Sequence, residues 1–325
     1  MPRHRQTKRP GAHLRPFAWA LMAAPAYAQT PDLQFPVDCI LGETCMIQQV
    51  MDRDPGPGAR DFRCGAQTYD GHSGTDIRLP DFAALRGDFR VLAAGPGTVL
   101  GTRNSVPDTG IDGFPEGHDC GNGVVIDHGN GWQTQYCHLA QGAVAVTTGD
   151  QVAAGDVLGT IGYSGATEFP HLHLTLRHNG VDVDPFDPST TDTCAIDATP
   201  LWAEPLPFAP GGILSIGFAD NVPTFDDIRN GTAAARALRA PDGLVLWGFF
   251  HGGRDEDIVR ISITDPDGAT FHTTDITLDR TQAELFRAAG RRITAPHASG
   301  DYIGPITLIR DGSPIDTATT TIPIR

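Results

Sequence analysis

Lysine is all but missing from this 325-residue chain, Lys8 being its only one. Basic side chains number 24 against 39 acidic ones, a formal net charge of −15. A chain so poor in cations is a poor candidate for binding nucleic acid, which rewards basic patches. Long apolar runs are missing as well, and beyond the first 28 residues no stretch is apolar enough to span a bilayer. No C-x-x-C pair occurs, so a cysteine zinc cluster is not expected. No His-Glu-x-x-His stretch occurs either, which removes the helix that carries two zinc histidines and a glutamate base. Sustained helical periodicity is scarce, while Gly 38 and Pro 26 are plentiful. Together these point to an all-β chain with many turns. Hydrophobic residues make up 40% of the sequence, enough for real cores.

The first 28 residues carry Arg3, Arg5, Lys8, Arg9 and Arg15 and no acid, then an apolar run that ends in Ala26-Tyr27-Ala28. A basic start, a short apolar centre and a small-x-small end read as a secretory signal peptide cut after Ala28, hence a periplasmic or secreted protein. Its removal leaves a still more acidic chain with no membrane span. Residues 29–60 read as an N-terminal arm ending in a Pro/Gly turn-rich linker. Residues 61–190 read as a Gly-rich antiparallel β domain. Its strands are expected at Val91–Ala94, Gly97–Leu100, Gly123–Ile126, Gln133–Leu139, Asp156–Ile161 and His171–Leu176. Residues 101–121 read as a long loop. After a Pro-rich boundary, residues 205–325 read as an immunoglobulin-like β-sandwich with one helix over Arg280–Arg291.

Six cysteines behind a signal peptide imply disulfides in an oxidising compartment. Cys120 and Cys137 flank a hairpin turning at His128-Gly129-Asn130-Gly131, so folding about that turn brings them together. Cys39 and Cys45 are the next pair expected.

The chemistry lies in the histidines. His72 and Asp76 are four apart, His138 follows Tyr136 and Cys137, and His171 and His173 frame Leu172. On a strand, side chains alternate faces, so His171, His173 and Thr175 share one face while Leu172, Leu174 and Leu176 face a core. The same alternation puts Tyr136 and His138 on one face, with Cys137 and Leu139 behind. Two imidazoles and a carboxylate suit a catalytic zinc with an open fourth position. His118, His128, His178, His251, His272 and His297 read as ordinary structural or surface residues.

Residues about 64–187 resemble the LytM/lysostaphin-type zinc endopeptidases of bacterial cell walls. The resemblance rests on His72-Ser73-Gly74-Thr75-Asp76, Gly121-Asn122-Gly123, Tyr136-Cys137-His138-Leu139, Gly149-Asp150, Gly162-Tyr163-Ser164-Gly165, Pro170-His171-Leu172-His173 and Asp184-Pro185. It implies one Zn2+ per chain held by His72, Asp76 and His173, with His138 and His171 as catalytic histidines. It also implies hydrolysis of peptide bonds in peptidoglycan stems or crosslinks by metal-activated water. The division read here has His171 working with the water and His138 stabilising the oxyanion. Two alternatives remain: a peptidase acting on proteins, or a non-catalytic wall-binding protein that activates another hydrolase. The intact ligand set favours catalysis. Cys137 stands where the family more often has a small residue. The C-terminal region lies outside the resemblance and is free to meet a regulatory protein.

Overall fold

The structure is a computed structural model that describes residues 1–2, 30–189, 199–239, 242–294 and 297–325. The signal-peptide reading of residues 1–28 lies almost wholly outside the described residues, as does Cys194. Residues 31–325 form one compact unit, and the regular structure described in it is almost all strand.

Among the described residues, ten strands precede residue 190: β1 (Met46–Gln49), β2 (Thr75–Arg78), β3 (Arg90–Leu92), β4 (Gly97–Arg103), β5 (Asn122–Gly129), β6 (Trp132–Leu139), β7 (Gln151–Val152), β8 (Val157–Thr160), β9 (His171–His178) and β10 (Val181–Val183). The main sheet runs β1-β2-β9-β6-β5-β4-β7, with β10 on β9, while β3 pairs β8 separately. Ile77, Ile126, Tyr136, Leu139, Leu158, Leu172 and Leu174 fill the core beneath it. The N-terminal arm belongs to this core. Leu33, Val37, Ile47 and Val50 are buried in it, and β1 forms one edge of the sheet.

Seven strands follow: β11 (Gly212–Ala219), β12 (Gly243–Gly253), β13 (Ile258–Thr264), β14 (Thr270–Thr277), β15 (Gln282–Arg292), β16 (Gly300–Arg310) and β17 (Ser313–Ile324), with one short helix α1 (Phe225–Arg229). They make sheets β11-β12-β15 and β14-β13-β16-β17 around a shared core that includes Phe218, Leu246, Val259, Ile261 and Ile306. An immunoglobulin constant domain would place the fourth strand beside the fifth. Here β14 pairs β13 instead.

The helix expected over Arg280–Arg291 is strand β15, a correction. Its Ala, Glu, Leu and Arg residues are good helix formers. Ten register positions against β12, from Gly243↔Arg292 to Gly253↔Gln282, override that local preference. Both expected disulfides, Cys39–Cys45 and Cys120–Cys137, are present, and no described cysteine is free.

His251 on β12 is buried, and its Nδ1 has no hydrogen-bond partner. Burial first, then the charges of Arg78 and Arg310, push its pKa down to about 3. The folded chain therefore holds this ring neutral, while the unfolded chain protonates it at its ordinary value of about 6.5. The stability it contributes is present above that value and is lost as pH falls toward 3, at up to about 1.4 kcal/mol per pH unit. Urea unfolding at pH 7, 6, 5 and 4 should show a shallower acid loss for His251→Asn than for the parent. Parallel pH profiles would refute this.

Candidate metal centre

Strand pairing builds the site. Asp76 on β2 lies opposite His173 on β9, and Arg78 lies opposite His171. Cross-strand partners share a face, so these four side chains project together, away from Ile77, Leu172 and Leu174. His72 comes from the turn before β2. Gly74 lets that turn pass closely: a Cβ there would lie 2.5 Å from the Leu174 carbonyl and 2.7 Å from His173 Nε2.

The three expected ligands converge. His72 Nε2 is 3.1 Å from Asp76 Oδ1 and 3.2 Å from His173 Nδ1, and His173 Nδ1 is 2.8 Å from Asp76 Oδ1. Nitrogen and oxygen ligands about 2.1 Å from a tetrahedral zinc stand roughly 3.4 Å apart, and this triangle, slightly tighter, can close on such an ion. The far nitrogens are anchored. His72 Nδ1 donates to the Val50 carbonyl at 2.7 Å, and His173 Nε2 meets Thr175 Oγ1 at 3.0 Å. Those bonds leave His72 Nε2 and His173 Nδ1 as the lone pairs that face the common point, as second-shell partners of metal histidines do.

His171 and His138 face the same cleft. His171 Nε2 is 3.4 Å from Asp76 Oδ1, and its Nδ1 donates to the Phe169 carbonyl at 2.9 Å. His138 Nδ1 donates to the Ser164 carbonyl at 2.8 Å, and its ring centre is 4.7 Å from that of His171. All five residues named from the sequence are thus brought together.

The expected faces of β6 need correction. Tyr136 pairs Leu174 and sits in the core, while Cys137 pairs His173 on the site face. Plain alternation would turn His138 into the core with Tyr136. Instead His138 has φ 65°, a left-handed conformation uncommon outside glycine, which swings its ring back to the cleft. The Cys120–Cys137 disulfide therefore lies on the site face, and the Cys120 carbonyl accepts from the His138 amide at 2.9 Å. Closing that 17-residue loop limits the unfolded chain and contributes about 3 kcal/mol.

Charge is concentrated at Asp76. Burial pushes its carboxyl up, but His72 and His171 outweigh this and hold it well below the usual carboxylate range. Burial pushes His72 down, yet the Asp76 charge carries the net shift upward. Burial also lowers His173. Burial, then the like charges of His171 and His173, drive His138 well below its ordinary value, so His138 is neutral at neutral pH.

A cavity of about 440 Å³ opens onto these groups. Its lining includes residues that sequence reasoning missed: Gln48, Gln49, Tyr69 and, from β15 of the sandwich, Ala283 and Glu284. Gln48 is the extra residue of a β-bulge between Ile47 and Gln49. Ile111, within the long loop expected at 101–121, forms part of the rim. Burial pushes the Tyr69 hydroxyl up to about 12, which keeps it a donor. Arg78 had one signal in the sequence, its position two residues after Asp76 on the same strand face.

The profile of peptidase family M23 matches residues 70–185. Over 113 residues the chain is 34% identical to peptidoglycan DD-endopeptidase ShyA of Vibrio cholerae, covering 35% of this chain and 22% of that protein. Over 65 residues it is 43% identical to DD-carboxypeptidase/endopeptidase Mpg of Neisseria meningitidis, covering 20% of this chain and 14% of that protein. The chain thus spans under a quarter of the length of these curated relatives. Among solved structures, the catalytic domain of prophage-encoded M23 protein EnpA from Enterococcus faecalis is 26% identical, covering 42% of this chain and 87% of that one, with a TM-score of 0.30. Residues 70–185 of this chain are a peptidase family M23 domain.

Proposed function

We propose that this chain is a zinc-dependent endopeptidase that cuts peptide bonds in peptidoglycan stems or crosslinks. The observation that carries the reading is the convergence of His72, Asp76 and His173 on one point, with His138 and His171 facing it across the same cavity. The named activities of the similar proteins support the substrate class. Export belongs to the same proposal, with residues 1–28 as signal peptide, 29–60 as arm, 61–190 as peptidase domain and 205–325 as accessory sandwich.

When bound, zinc supplies a Lewis acid and lowers the pKa of its water toward ~7. The chain supplies proton handling. His138 and His171 both spend Nδ1–H on backbone carbonyls, so each presents an Nε2 lone pair to the cleft. Neither is therefore a resting donor to an oxyanion, which revises the division expected from the sequence. Each is placed to accept a proton, and a ring that has accepted one can return it to the leaving amine. The Tyr69 hydroxyl, which stays protonated, is the neutral donor at the same cleft.

Digestion of purified peptidoglycan with and without a chelator, read by mass spectrometry of the muropeptides, tests the activity, its metal dependence and the bond chosen. Absence of new peptide termini with zinc present would overturn the reading. His138→Ala should keep about one zinc per chain and lose at least ~100-fold in turnover. Turnover within a few-fold of the parent would refute its role.

A further inference from the structure

The M23 domain does not enclose the cleft alone. One side of the cavity at the metal centre is made by Gln48, Gln49 and Tyr69, and Ala283 and Glu284 of β15 face them. A second cavity, of about 740 Å³, shares Gln48, Gln49, Tyr69 and Ala283 with the first. Four shared lining residues make the two a single trough. Beyond the metal centre it runs between the 59–69 segment and the sandwich, where Pro210, Arg254 and Gln282 line it.

Among the described residues β15 is the outer strand of its sheet and pairs with β12 alone. Its other edge has no strand partner among the described residues, and an extended peptide can bond along such an edge.

The charge of the trough runs against that of the chain. Within a protein of net charge −15, the charged side chains lining this second cavity are Arg63, Arg254, Arg310 and Asp61. Two of them are already committed. Asp61 accepts from the amides of Arg63, Gly65 and Gln67. Arg310 donates to both Asp257 oxygens and to the Pro210 and Gly252 carbonyls. Arg63 and Arg254 are exposed and carry net positive charge into the trough. The Arg63 guanidinium is positioned over two rings, 5.2 Å from the Phe62 centroid and 5.1 Å from that of Phe208.

We propose that this trough is the substrate channel and that the sandwich forms half of it. An extended, carboxylate-bearing peptide lies along the β15 edge, with its carboxylate between Arg63 and Arg254 and its scissile bond at the metal centre. The proposal rests on the peptidase reading and names the part of that substrate which the second region recognises. It makes the sandwich a specificity element of the site, in addition to any role with a separate partner.

Binding separates the two ideas. Soluble muropeptides, and the same peptides with carboxylates converted to carboxamides, are titrated calorimetrically into the zinc-loaded full chain carrying His138→Ala. The same titrations follow with Arg63→Gln and Arg254→Gln added. The double change should weaken binding of the carboxylate peptides about tenfold and leave the carboxamides unchanged. Equal loss for both peptides, no loss, or no muropeptide binding at all would overturn the channel. If the double variant does not fold, Arg254→Gln alone serves, with a threefold loss expected and the same outcomes refuting. Turnover of sacculi by the parent chain is scored separately, so an active enzyme with no carboxylate selectivity refutes only this inference.

Discussion

His173→Ala should leave the purified chain with almost no zinc, against about one ion per chain in the parent. His173 Nδ1 closes the triangle with His72 Nε2 and Asp76 Oδ1, and two ligands cannot hold a tetrahedral ion with an open position. Loss of an outer-shell partner alone costs about 10- to 100-fold in metal affinity. Loss of a ligand should exceed that, and peptide hydrolysis should fall with it. The check is metal content by mass spectrometry after dialysis, with competition against a chromophoric chelator for affinity. Full zinc occupancy in the variant would sink the ligand assignment. Thr175→Val is the graded companion. It removes the oxygen that meets His173 Nε2 and should weaken zinc without abolishing it.

Glu284→Ala should destabilise the chain by about 3 kcal/mol or more, although Glu284 lies in the sandwich, far along the sequence from His72 and Asp76. Its carboxylate pairs with Arg78, whose side chain is almost wholly buried on β2, two residues beyond Asp76. Arg78 also donates to Gln48 Oε1 and to the Leu79 carbonyl, and its guanidinium stands 4.5 Å from the Phe169 ring centre and 5.4 Å from that of Phe249. Phe169 in turn supplies the carbonyl that orients His171. Truncating Glu284 strands a buried cation at the junction of β1, β2, the His171 support and the sandwich. Glu284→Gln, which keeps an acceptor, should lose less. Pairing Glu284→Leu with Arg78→Met should recover much of the loss, because the unpaired charge is gone. Urea unfolding of the four proteins measures this. A loss below about 1 kcal/mol in Glu284→Ala would show that Arg229, 3.8 Å from the same carboxylate, and solvent already compensate Arg78.

The candidate ligand set was legible in the sequence because it depends on short periods. His-x-x-x-Asp before a strand and His-x-His on one, with leucines between, place donors on one face by geometry that does not require the rest of the fold. The hairpin between Gly123 and Leu139 was equally local, and so was the Cys120–Cys137 pair it brings together. Local reasoning failed at His138. It assumed unbroken alternation, and one left-handed residue reversed the faces of the strand end. It failed again at β15, where good helix formers are held extended by pairing with β12.

By itself, the sequence determined the all-β character and two disulfides and singled out the five residues that converge at the cleft, because strand period, hairpin closure and ligand spacing act over few residues. Only the tertiary structure decided the other half of the cleft. Strand order left β1 at one sheet edge and β15 at another. Docking then brought Gln48, Tyr69 and Glu284 to the same cavity across more than two hundred residues. No local pattern encodes that meeting. It follows from which edges remain unpaired and from the buried Arg78, which ties β1, β2 and β15 together.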